Sequence, residues 1–204
     1  MYDMSRWYIR LGNWCFNIVL LNILWIVFSG TGFFIFGIFP ATAALFLVLK
    51  KMIMEDENTP IISPFFKTFK SEFIKSNVIG YIFLIIGSIL YVNLRIIESI
   101  DNNFLQLSMA SITVVIAIVF ILTFIYIFPI FVHFNFKLLQ YPVHALVLAI
   151  AKPLHTFFLL VVLGVISYLF FVLPELILIF GFSGVCFVIM KVTSYSLPKK
   201  YQIE

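Results

Sequence analysis

No charged residue interrupts the chain from Trp14 to Leu49, a run of 36 residues counted from 14 to 49 inclusive. As one straight helix it would measure roughly 54 Å, well beyond the ~30 Å hydrocarbon core of a bilayer. Such a run must turn back on itself. The turn is supplied by Ser29-Gly30-Thr31-Gly32, with two glycines within three positions. Two membrane spans are therefore expected, at about 11–28 and 33–49. Pro40 falls inside the second, and Pro40, Ala41 and Thr42 mark an expected kink, since membrane helices tolerate a proline when neighbours satisfy the freed carbonyl. A re-entrant first hairpin is the open alternative, because Gly37, Pro40 and the small residues Ala41 to Ala44 suit a broken helix buried in protein.

The rest of the chain reads in the same way. Further spans are expected at about 78–97, 107–132, 154–173 and 175–190. A polar loop, Glu98 to Asn103, separates the first two of these, and Pro174-Glu175 separates the last two. The composition agrees: 63% of the residues are apolar and 11% charged, against roughly 25% charged in a soluble domain. The apolar runs lack the alternation of a membrane barrel, so every span is helical. The expected fold is all-α, a polytopic transmembrane helical bundle forming a single integral membrane domain over residues 1–204. Two arginines precede the first apolar stretch, as in a signal peptide, but no small-x-small cleavage site interrupts it, and it is read as retained membrane structure.

Charge fixes the orientation. Arg6, Arg10, Lys50, Lys51, Lys67, Lys70, Lys75, Lys137, Lys152, Lys191, Lys199 and Lys200 all fall in segments that six crossings place on one side, and Arg95 alone falls on the other. The positive-inside rule makes the first side the cytoplasm, with both termini in it. The sequence pI near 9.1 does not imply nucleic acid, because the basic residues gather at the ends of apolar runs and form no single patch. Cys15 and Cys186 lie near cytoplasmic ends of spans and imply no disulfide framework.

Two cytoplasmic segments carry the remaining information. The first follows the second span and contains Ser63-Pro64, an N-cap followed by proline at the first helical position. An amphipathic helix is expected over 63–75. At 100° per residue Ile62, Phe65, Phe66, Phe69 and Phe73 share one arc, while Lys67, Lys70 and Lys75 point elsewhere. A basic aromatic helix of this kind lies on anionic lipid or docks into a partner. The second segment holds His133, His144 and His155 at intervals of eleven. That spacing would return them to one helical face, but Pro142 and Pro153 repeat with the same period and break the helix on which alignment depends. With no acidic residue between them to orient an imidazole, no metal site is expected. Gly80 and Gly87, and Gly181 and Gly184, read as places of close helix approach.

Recognised catalytic patterns are absent from the sequence. It has no Gly-x-x-x-x-Gly-Lys phosphate loop, no His-Glu-x-x-His, no Gly-x-Ser-x-Gly and no Cys-x-x-Cys. No acidic or basic residue sits at the middle of a span, where a coupling ion or proton path requires one. No catalytic residue and no cofactor is expected, and ion-coupled transport is disfavoured.

Two stretches carry a resemblance: Pro40-Ala41-Thr42-Ala43-Ala44-Leu45, and Phe65-Phe66-Lys67-Thr68-Phe69-Lys70-Ser71-Glu72-Phe73 some twenty residues later. Together with Phe128-Pro129-Ile130-Phe131 followed by Phe136, they resemble the YesL family of bacterial membrane proteins over nearly the whole chain. Family members carry glycine directly before the Pro-Ala-Thr run, whereas this chain has Phe39, with Gly37 nearest. The resemblance implies no established activity. It does imply a neighbourhood, since the family's genes often lie beside those of sugar ABC importers and polysaccharide-degrading enzymes. The functional expectation is a non-enzymatic accessory or regulatory protein associated with carbohydrate ABC import, contacting the bilayer and transporter subunits through Phe65, Phe66, Lys67, Phe69, Lys70, Phe73 and Lys75. One alternative is a passive small-molecule transporter or channel that uses the Pro40 kink. Another is a membrane enzyme acting on lipid-type substrates through Arg95, Glu98 and Asp101 or through the three histidines.

Overall fold

A computed structural model describes residues 3–54 and 60–197. The polar loop Glu55 to Thr59 and the basic tail with Lys199 and Lys200 lie outside the described residues. Those described form helices α1 (Asp3–Thr31), α2 (Ile38–Met54), α3 (Ile62–Ser71), α4 (Phe73–Ile97), α5 (Asn103–His133), α6 (Gln140–Ala151), α7 (Pro153–Val172), α8 (Glu175–Ile179) and α9 (Gly181–Ser196), with no strand among them.

Four helical stretches are long and apolar enough to cross a membrane: Tyr8–Thr31, Phe73–Ile97, Asn103–His133 and Pro153–Val172. They coincide with the expected first, third, fourth and fifth spans. The other two expected spans differ. α2 has 17 residues and α9 has 16, at the lower limit of the ~17–25 that cross a bilayer. α2 is instead the centre of the bundle. Ala41, Ala43, Ala44, Leu45, Val48 and Leu49 are fully buried, and α1, α3, α4, α5 and α9 pack around the helix. The small side chains explain that position, because they let neighbouring backbones approach closely on several sides.

The connection into α2 shows why Pro40 makes no kink. Pro40 is the third residue of α2, in the first turn, where the backbone N–H has no intrahelical acceptor to lose. The expected kink at Pro40, Ala41 and Thr42 is therefore corrected: proline starts the helix. Thr42 instead ties α2 to α1, accepting a hydrogen bond from Trp25 Nε1 at 3.1 Å and donating to the Ile38 carbonyl at 2.7 Å. The turn between α1 and α2 lies at residues 32–37, later than expected, and it is tight. Phe33 and Phe34 have φ of 51° and 60°. A side chain on Gly37 would overlap the Ser29 carbonyl, and one on Gly32 would overlap the backbone of Gly37, so both positions need glycine.

This turn is fastened to the start of α4. Asn77 Nδ2 donates to the Phe36 carbonyl at 3.0 Å, and the Tyr81 hydroxyl donates to the Ile35 carbonyl at 2.9 Å. Phe39 packs edge-on against Tyr81 and lies over Gly80, whose missing side chain makes room for its ring. Further along, Leu47 faces Thr68 and Glu72 across one cavity. α3 and the start of α4 thus run back along α2. An alternation of six crossings sets residues 29–37 and the start of the third span on opposite faces of a ~30 Å core, whereas here hydrogen bonds of 2.9 and 3.0 Å join them.

α4 and α5 form the long antiparallel hairpin. Asn102 caps α5 by accepting from the Phe104 and Leu105 amides at 3.0 and 3.2 Å. Phe83 packs against Phe120 and Phe124, and Thr113 Oγ1 lies 3.0 Å from Asn93 Oδ1. α9 closes the other side, with Trp25 stacked on Phe182, Trp14 edge-on to Phe187, and Ser183 Oγ donating to the Ile18 carbonyl at 2.9 Å. α6 falls within a segment expected to be broken by proline. Pro142 occupies its first turn and Pro153 begins α7, so both prolines start helices here as well.

Candidate functional site

The sequence-selected aromatic helix divides between core and surface. α3 begins at Ile62, one residue before the expected Ser63 cap, and the first bond runs from the Phe65 amide to the Ile61 carbonyl at 3.2 Å. The cause is burial: Ile61 and Phe65 lie four residues apart on the inward face and are both buried. Phe65 is fully buried against Phe28, with ring centres 5.3 Å apart. Phe69 is half-buried and packs against Phe28 and Phe73. Phe66 is 54% exposed and Ile74 77% exposed, and Lys67, Lys70 and Lys75 are all exposed. The helix breaks at Glu72, with φ −99° and ψ 9°, and this elbow turns α3 into α4. Phe66, Phe69, Phe73 and Ile74 line a shallow groove of about 350 Å³ there, with Lys70 on its rim.

On the inner side of the same elbow lies a polar cavity of about 240 Å³, where α2, α3, the end of α5 and the start of α6 meet. Glu72 stands at the foot of α4, where the helix dipole favours a carboxylate. Lys75 Nζ lies 3.8 Å from its carboxylate on a half-exposed side chain. His133 ends α5, and its Nδ1 is 2.8 Å from the Pro129 carbonyl, so that nitrogen carries the proton. Its Nε2 is buried and has no hydrogen-bond partner among the described residues. Lys50 Nζ donates to the Val132 carbonyl at 3.4 Å.

The Tyr141 hydroxyl holds the loop between α5 and α6, donating to the Phe134 carbonyl and accepting from the Phe136 amide, each at 3.1 Å. Burial pushes this phenol above the ordinary tyrosine range. The Phe136 N–H works against the rise and the negative charge of Glu72 adds to it.

The other sequence candidates are not brought together. His144 is stacked on Phe136, with ring centres 4.2 Å apart, and no cluster of three metal-ligating side chains forms among the described residues. Arg95 pairs with Glu98 at 3.3 Å and with the Tyr91 hydroxyl at 3.2 Å on the exposed end of α4. Glu72, His133 and Tyr141 drew no attention as a group in the sequence, where 61 residues separate Glu72 from His133 (133 minus 72). Their signal was positional: Glu72 falls inside the Phe65 to Phe73 motif and His133 inside the Phe128 to Phe136 motif.

These motifs agree with the comparisons to known proteins. The model of a family described as "Protein of unknown function, DUF624" matches residues 18–94. Bacillus subtilis (strain 168) YteU, described as an uncharacterized protein, is 31% identical over 194 residues, covering 95% of this chain and 86% of its own length. The chain belongs to the YesL family. YesL itself, from the same organism and also described as uncharacterized, is 33% identical over 84% of this chain and 79% of its own length. YesV, likewise, is 36% identical over 81% of this chain and 79% of its own length. No solved structure matches. The DUF624 match runs from Ile18 in α1 through α2 and α3 into α4, and so includes the elbow, its groove and the Glu72 wall of the cavity.

Proposed function

We propose that this YesL-family protein is a non-enzymatic accessory subunit of the bacterial cytoplasmic membrane, which docks onto a carbohydrate ABC importer through the α3–α4 elbow. One observation carries the reading: Phe66 and Ile74 stand exposed beside Lys70 around an apolar groove, on a corner packed from behind by Phe65. Apolar surface rimmed by charge on a fixed helix matches the way an amphipathic helix is received by a partner. The complementary partner presents an apolar helix ridge flanked by acidic residues, the lysines supplying steering and the groove the contact area. The importer is the partner that the family resemblance implies. The exposed lysines of the elbow favour a cytoplasmic position for it in this reading.

Purification in mild detergent from the native host tests the reading. The wild-type chain is expected to retain permease or nucleotide-binding subunits, and the Phe66→Asp, Ile74→Asp double variant is expected to lose them while keeping its own fold. Recovery of no transporter subunit above background would sink the proposal.

A further inference from the structure

The polar cavity behind the elbow carries chemistry that docking does not use. Its two ionisable walls both present hydrogen-bond acceptors. Glu72 is a carboxylate, which accepts only. His133 has its Nδ1 proton engaged by the Pro129 carbonyl, which leaves Nε2 as an acceptor, buried and without a partner among the described residues. The Tyr141 hydroxyl is already committed to Phe134 and Phe136.

Phe131, Phe134 and Tyr141 complete the lining, and aromatic side chains attract a cation. Lys75 meets Glu72 at the outer edge of ion-pair range, at 3.8 Å on a half-exposed side chain.

We infer that this cavity binds a primary ammonium group, with Glu72 and the His133 imidazole as its acceptors and the rings of Phe131, Phe134 and Tyr141 around it. A donor-rich cation satisfies both acceptors at once. A neutral polyol would leave the carboxylate with only its long contact to Lys75, and an anion would be repelled by it. The volume of about 240 Å³ suits a small amine or a headgroup rather than an extended chain. Because the cavity lies where α5 ends, the same chemistry has two sources: the ethanolamine headgroup of a phospholipid, or a soluble amine.

The test uses the full-length chain alone, so its outcome is separate from that of importer docking. In phosphatidylcholine nanodiscs, ethanolamine is expected to bind saturably, and choline, which has no N–H donor, at least about tenfold more weakly. In a second arm, native mass spectrometry from mixed phosphatidylethanolamine and phosphatidylcholine is expected to show the former retained. Binding in the first arm alone identifies a soluble amine, and in the second alone a lipid headgroup; either supports the site.

Glu72→Gln is expected to lower the affinity at least about tenfold, and Lys75→Gln, which removes the internal competitor, to raise it. The second variant keeps the inference testable if the first does not fold. Equal affinity for ethanolamine and choline, no loss in Glu72→Gln with no gain in Lys75→Gln, or binding in neither arm would overturn it.

Discussion

Two glycines seven residues apart on α4 look alike in sequence and differ in the structure. The ring of Phe39 occupies the space where a Gly80 side chain would stand, whereas at Gly87 the nearest foreign atom is the tip of Phe120, at 3.4 Å. Gly80→Ala must push Phe39 out of the junction between α2 and α4, and overpacking of that kind costs about 1–3 kcal/mol. Gly164 has nothing within 4 Å of its missing side chain, and Gly164→Ala removes a poor helix former without crowding. Thermal unfolding in detergent is expected to show a clear drop in Tm for Gly80→Ala and none for Gly164→Ala. Equal behaviour of the two would refute the packing of Phe39 on Gly80. The sequence announced close approach at both α4 glycines because spacing is all it records. Which ring arrives is decided by α2, from a segment some forty residues away.

At the scale of the element, α3 illustrates what periodicity reads well and where it stops. The arc of Ile62, Phe65, Phe66, Phe69 and Phe73 was legible, and the helix is there. An arc nonetheless has two edges, and spacing does not say which one meets a neighbour. Phe28, at the end of α1, packs against Phe65 and Phe69 and meets Phe66 edge-on with ring centres 6.0 Å apart, and Phe66 and Ile62 remain more than half exposed. Phe65→Ala is therefore expected to destabilise the fold by about 3–5 kcal/mol, as for a buried phenylalanine, while Phe66→Ala loses only its edge contact to Phe28, about 0.5–1.5 kcal/mol. Denaturant titration of the two purified variants checks this, and a large loss for Phe66→Ala would show that its face is covered in the isolated protein. The break at Glu72 was not legible: no proline or glycine marks it. It arises where α3 must leave the side of α2 and α4 must pass Phe39, so tertiary packing sets it.

For the whole molecule, the fastening of the 32–37 turn to Asn77 and Tyr81 decides more than any single helix. Hydropathy found the apolar runs, and charge found the cationic side, but neither can tell a short helix that crosses lipid from one wrapped by other helices. α2 was read as a span because Ala, Leu, Val and Phe suit both environments. Five neighbouring helices bury it, which places α2 at the centre of the bundle.

The topological consequence is specific. The turn and the elbow share one side, while the loop after α4 is reached only by 25 residues of apolar helix, roughly 37 Å, enough to cross. Single cysteines at Phe34, Lys70 and Asn103, in a background with Cys15 replaced, give the measurement. With a membrane-impermeant maleimide on intact cells, only the cysteine at 103 is expected to react; those at 34 and 70 should react together after permeabilisation. Labelling at 34 alongside 103, with 70 protected, would restore the six-crossing order and require the two hydrogen bonds at the turn to be absent in the membrane.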